Sequence, residues 1–247
     1  MVGAPERNRP LRRRAWHSRR ANDIGRRRVT QGVALQVTVE SMQNPRMDMR
    51  NPGCKAEIAA SAARLIVEDG LEYGSAKRQA AHILGLSPRT PLPDNEEIDD
   101  AVSDYIAVFC AESQRKELAA LRVLAVHWME RMSSFRPYLT SAVWRGNATR
   151  RSDILIDLFC DDCKSAELAL IDMRTRYQAQ TVGGMRGETV EALIVMDICP
   201  GLMERVAVQL RVYDHDQLRG ALRADARGRA PRGDLAALRQ RMDGSLA

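Results

Sequence analysis

No apolar run among these 247 residues approaches the roughly 18 that a membrane-spanning helix needs; ALIVM at 192–196, for instance, is only strand-sized. No membrane partner is therefore expected. Cysteine is sparse and scattered: Cys54, Cys110, Cys160, Cys163 and Cys199 are odd in number, and no secretory signal precedes them. That pattern predicts reduced thiols in a cytoplasmic protein, not a disulfide framework. Cys160 and Cys163 form a single C-x-x-C. A structural zinc needs four ligands, usually two such pairs, so the pair reads as two small residues at a strand-to-helix junction.

Several catalytic signatures are missing as well. There is no G-x-x-x-x-G-K-[ST] phosphate loop, no G-x-S-x-G nucleophile elbow and no H-E-x-x-H metal helix. TVGGMRGE at 181–188 carries glycines without the strand–G-x-G-x-x-G–helix context of a dinucleotide site, and a turn between two strands explains Gly183 and Gly184. His127 has no histidine near it in sequence and reads as a packed or solvent-facing imidazole.

What the chain does have is unevenly spread. An apolar content of 45% with 28% charged residues is that of a globular protein large enough to bury a core. Residues 1–30 hold ten arginines against Glu6 and Asp23, so this head alone carries +8 of a total of +6. The remainder is slightly acidic, which argues against a strongly basic nucleic-acid-binding body. Residues 1–52 read as a disordered Arg-rich extension, with nucleic acid as the partner such a segment could hold through phosphate contacts. Met42, Met47 and Met49 offer later starts.

From residue 53 to 134 the periodicity is helical. AEIAASAARLIVEDG puts Ile58, Ala62, Leu65 and Ile66 on one face and stops at Gly70. SAKRQAAHILGL follows with Ala76, Ala80, Ile83 and Leu84 inward, and Lys77 and Arg78 outward, a helix-turn-helix-like hairpin. Asp94 with Glu97 makes a capping box for the next helix, and Leu121, Leu124, Ala125 and Trp128 form the stripe of another over about 117–132. Over 135–222 the character changes. YLTSAV, SDILIDLF, VEALIVMDI and RVAVQLRVY read as strands, DDCKSAELALIDM as a helix, and a further helix starts near Asp216. Residues 223–247 read as a flexible tail with one short helix over 234–242. The fold class is α+β: a helical region, then a small mixed sheet with helices packed on it.

The stretch from Pro137 to Phe159 carries Arg145, Gly146, Ala148, Ser152, Asp153 and Ile154 in a basic-loop-then-acid order. It resembles the core motif of the DNA polymerase β-type nucleotidyltransferase superfamily. YGSAKRQAAHILGL, LPDNEEID, FRPYL and YDHDQLR extend the resemblance over roughly 56–222, to a divergent group of uncharacterised bacterial nucleotidyltransferase-like proteins. The resemblance implies a nucleotidyltransferase-like fold, a nucleoside triphosphate substrate and Mg²⁺ or Mn²⁺ as cofactor. It makes Asp153 the catalytic acid and a metal ligand, with Asp157 and Asp197 as further metal ligands. It makes Ser141, Arg145, Gly146 and Ser152 the nucleotide-binding residues.

The motif is departed from at two places. Its Gly-Ser falls on Ser141 and Ala142, and its second acid, two residues after Asp153, falls on Leu155. Asp157 shares a strand face with Asp153 but lies about 13 Å along it at ~3.3 Å per residue. That is too far for one metal pair ~4 Å apart, unless a bulge at Leu155 or Ile156 shortens the strand. Glu191 and Asp197 flank ALIVM and also share a face. Three functions remain open: a metal-dependent nucleotidyltransferase acting on an unknown acceptor, a degenerate relative that binds nucleotide or protein, and a helix-turn-helix nucleic-acid binder.

Overall fold

A computed structural model describes residues 52–225 and 227–244, all within one compact unit. The Arg-rich head, and any partner it holds, lies outside the described residues. The class is α+β. The first helices are α1 (Pro52–Asp69), α2 (Tyr73–Ile83), α3 (Asn95–Phe109) and α4 (Ala111–Arg131). The α1–α2 turn is made by Gly70 at φ +69°, where a left-handed backbone suits glycine. The capping box holds α3 as expected: Glu97 N–H donates to the Asp94 carboxylate at 2.8 Å, and Asp94 N–H donates to Glu97 at 2.7 Å.

After α4 come β1 (Tyr138–Thr140), α5 (Ser141–Arg145), β2 (Ile154–Cys160), α6 (Cys163–Asp172), β3 (Gln178–Gly183), β4 (Thr189–Cys199) and β5 (Glu204–Asp214). The short α7 (Leu218–Ala221), β6 (Arg232–Gly233) and α8 (Leu235–Gly244) complete the order. The strands form one mixed sheet in the order β3-β4-β5-β2-β1-β6, in which only β2 and β5 run parallel. Alternation along β2 sends Ile154, Ile156 and Leu158 to one face, with Val208, Leu210, Leu193 and Val195 beside them. That face packs on Leu121, Leu124 and Trp128 of α4, Ala166 and Leu170 of α6, and Leu238 of α8. A separate core joins α1, α2 and α3 through Ile58, Ala62, Ala76, Ile98 and Val102.

Five expectations are corrected. The division at residue 134 does not hold as a packing boundary, because the α4 stripe belongs to the core under the sheet. Of the flexible tail expected over 223–247, the described residues 232–244 are folded: β6 pairs with β1, and the expected short helix is α8, with Leu238 fully buried against that same core. Lys77 does not face outward; it is buried and donates to Asn95 Oδ1 at 2.7 Å, which removes it from any basic DNA-reading face. Ile83 and Leu84, expected inward, are exposed at the end of α2. The strand expected over YLTSAV stops at Thr140, because Ser141 turns the backbone to φ +63°. His127 is solvent-facing and all five cysteines are free, Cys160 at the end of β2 and Cys163 opening α6. No helix among the described residues is long and apolar enough to cross a membrane.

Candidate functional site

The loop from β1 to β2 carries the four expected nucleotide-binding residues. Ser141 falls where the resemblance calls for glycine, and it adopts the left-handed backbone that glycine would supply. Gly146 ends α5 at φ +101°, again in left-handed space. Gln114 of α4 donates through Nε2 to the carbonyls of both Gly146 and Ala148, each at 2.9 Å, which fixes the loop. Ser152 closes it from the other side: Thr149 N–H donates to Ser152 Oγ at 3.0 Å. Arg145 leans back on the helical region, with Nε 3.2 Å from Asp99 Oδ2 and Nη2 3.4 Å from the Tyr73 hydroxyl.

The acids are placed less favourably. Asp153 lies just ahead of β2 on the second sheet face, with Leu155 and Asp157 after it on the same face. The β2–β5 register runs unbroken from Ile154↔Val208 to Cys160↔Asp214, so no bulge draws Asp157 towards Asp153. Gln209 of β5 donates to Asp153 Oδ2 at 2.8 Å. Although Asp153 reaches solvent at its tip, desolvation by the surrounding protein raises its carboxyl above the usual range; the Gln209 bond opposes this and the nearby Glu72 charge adds to it.

Asp157 is fully buried between two arginines. Arg211 of β5 donates from Nε at 2.8 Å and Nη2 at 2.6 Å to Oδ1, and Arg232 of β6 donates from Nη1 to Oδ2. Burial pushes the Asp157 carboxyl up, against the pull of both guanidiniums. Tyr213, on the same face, is pushed up to about 12 by burial and by the Asp157 charge.

Asp197 does not converge with either. It alternates with Val195 and Cys199 on the helix-covered face, and the indole Nε1 of Trp128 donates to its Oδ2 at 2.9 Å. Glu191 points the same way and pairs with Lys164 of α6 at 3.5 Å. The sheet thus separates Asp197 from Asp153, and Arg211 and Arg232 take both oxygens of Asp157. Among the described residues no three His, Cys, Asp or Glu side chains gather in a way that could hold a metal ion. A two-metal centre of Mg²⁺ or Mn²⁺ does not fit these residues.

Arg145 and Gly146 instead meet at a cleft of about 310 Å³ between α3, the start of α4 and the loop after α5. Asp99, buried on α3, organises its inner wall. It accepts from the Tyr73 hydroxyl, from Arg145, and from Asn147 Nδ2 at 3.4 Å. Burial and the Asp99 charge raise the Tyr73 hydroxyl well above its usual range. Ser141, Ser152 and Asp153 do not line this cleft.

Gln209, Arg211, Arg232, Asp99, Tyr73 and Asn147 were not anticipated. Alternation in RVAVQLRVY places Gln209 and Arg211 on one face, but which acids they meet depends on a strand register no local pattern encodes. No family model matches the chain, and no curated protein is a significant match to it.

Proposed function

We propose that the protein is a catalytically silent, nucleotidyltransferase-like fold that binds a nucleotide without using metal chemistry. The observation that carries this reading is the clamp on Asp157: the carboxylate is fully buried with both oxygens engaged by guanidiniums, whose positive charges also repel a cation. With Leu155 at the motif's second acid and Asp197 behind the sheet, Asp153 stands alone. One carboxylate, with Gln209 on one of its oxygens, does not assemble two ions for in-line phosphoryl transfer.

The binding half of the proposal has its own support. The β1–α5 turn retains, at Ser141, the backbone twist that lets main-chain groups approach phosphates closely. A cleft with arginines on its wall lies at the other end of the same short helix. The test is incubation of the full chain with each of the four ribonucleoside triphosphates and Mg²⁺ or Mn²⁺, measuring pyrophosphate release. The expected rate is that of buffer; release that disappears in Asp153→Asn would sink the reading.

A further inference from the structure

We infer that the cleft between α3, α4 and the α5–β2 loop is a mononucleotide site, distinct from the sheet face that carries Asp153. This rests on the nucleotide-binding reading above and adds where the ligand sits and how large it is. The cleft, at about 310 Å³, lies at the small end of ligand-site sizes, enough for one base, one sugar and one phosphate.

Its charges are not balanced within the fold. Asp100 is taken by Arg227, which donates from both terminal nitrogens at 2.7 Å, and Asp99 is taken by Arg145. Arg229 pairs with Asp225 at 2.9 Å. The side chain of Arg115, at the exposed start of α4, has no ion pair or hydrogen bond among the described residues. It is the uncommitted cation, beside the half-exposed Arg145, where a phosphate would be received by charge-assisted donors.

The remaining wall supplies the other half of such a ligand. Ile106, Ala107 and Ala111 make an apolar strip suited to the flat face of a base. Asn147 supplies polar selectivity. Its Nδ2 faces the Asp99 carboxylate, which can only accept, and this fixes the orientation of the amide. Oδ1 is then left buried without a donor. A buried acceptor without a partner is costly, and an exocyclic amino group of a base would satisfy it. Adenine, cytosine and guanine derivatives carry such a group and uracil does not.

The experiment is calorimetric titration of the full chain with AMP, CMP, GMP and UMP, with adenosine and inorganic phosphate as separate arms. Arg115→Glu and Ala107→Trp are made at exposed positions, so both are expected to fold, and equal circular dichroism melts confirm it. The expected result is tightest binding by an amino-bearing mononucleotide and at least tenfold weaker binding in each variant. UMP binding as tightly as the others, or undiminished affinity in both variants, overturns the cleft assignment while the nucleotide-binding reading survives. Loss of affinity only in Ser141→Asp relocates the ligand to the β1–α5 turn. If the unaltered chain binds none of the four, both readings fall.

Discussion

Asp157 shows how far a residue's partners can reverse its chemistry. Its place on the strand made it a candidate metal ligand, but Arg211 and Arg232 make it the anchor of a buried ion cluster. Removing one partner of such a cluster leaves unpaired charge in the interior. Asp157→Ala should therefore cost about 3–5 kcal/mol in urea unfolding. Arg232→Met should cost less, because Arg211 still neutralises the carboxylate. Equal, small effects would show that the cluster contributes little.

Ser141 makes the opposite point, since a backbone requirement persists where the usual residue does not. Holding serine at φ +63° stores strain that glycine would not have. Ser141→Gly should stabilise the fold by on the order of 1 kcal/mol, and Ser141→Val should destabilise it by a similar amount. A loss on glycine substitution would mean that the serine hydroxyl has a structural bond of its own.

Asp153 carries the pH signature. Its carboxyl is raised by the surrounding protein, so its contribution favours folding when protonated. That contribution is present below the unfolded-state value and is lost as pH rises through the folded-state one. Asp153→Asn should thus be at least as stable as the unaltered chain at neutral pH. Its advantage should vanish below the ordinary carboxylate range. A variant less stable than the unaltered chain at pH 7 would show that the Gln209 bond outweighs desolvation.

At the scale of elements, the sequence is a good guide where burial is one-sided or complete. The capping box and apolar stripes locate α3 and α4, although α4 begins at Ala111 instead of near Glu117. The apolar runs locate β2, β4 and β5. β3 is not visible because Gln178–Gly183 is a polar edge strand whose side chains are mostly exposed, so no periodicity marks it. β6 is two residues long and exists only because β1 offers it an edge. The fate of Lys77 depends on Asn95, a contact across elements that helix periodicity does not encode.

The C-terminal helix shows what is at stake in such omissions. Leu238 of α8 is fully buried with α4 and the sheet. Leu238→Ala should destabilise the whole fold by about 2–5 kcal/mol, in one transition. A change under 0.5 kcal/mol, about the size usual for surface sites, would return residues 235–244 to the status of a loose tail.

For the molecule as a whole, the candidate site was legible only in part. The loop residues Arg145 and Gly146 do line a cleft, while Asp153, Asp157 and Asp197 are dispersed. The division follows from what a motif encodes. Spacing within one loop survives folding, but convergence of acids from separate strands depends on register, face and neighbouring arginines. Asp99 of α3, a helix of the α1–α3 core, is joined by Arg145 and Asn147, which flank Val143, Trp144 and Ala148 of the core under the sheet. A ligand in the cleft would therefore touch both, and its binding should be visible in the stability of the entire unit.

Thermal unfolding of the full chain with and without nucleotide, in Mg²⁺, Mn²⁺ or EDTA, beside Asp153→Asn, tests this account most directly. Ligand at a hundred times its dissociation constant adds about 2.7 kcal/mol, a shift easily read from a melt. The account predicts a shift that is the same with metal or chelator and is kept in Asp153→Asn. A shift that requires the metal and disappears in Asp153→Asn would contradict it.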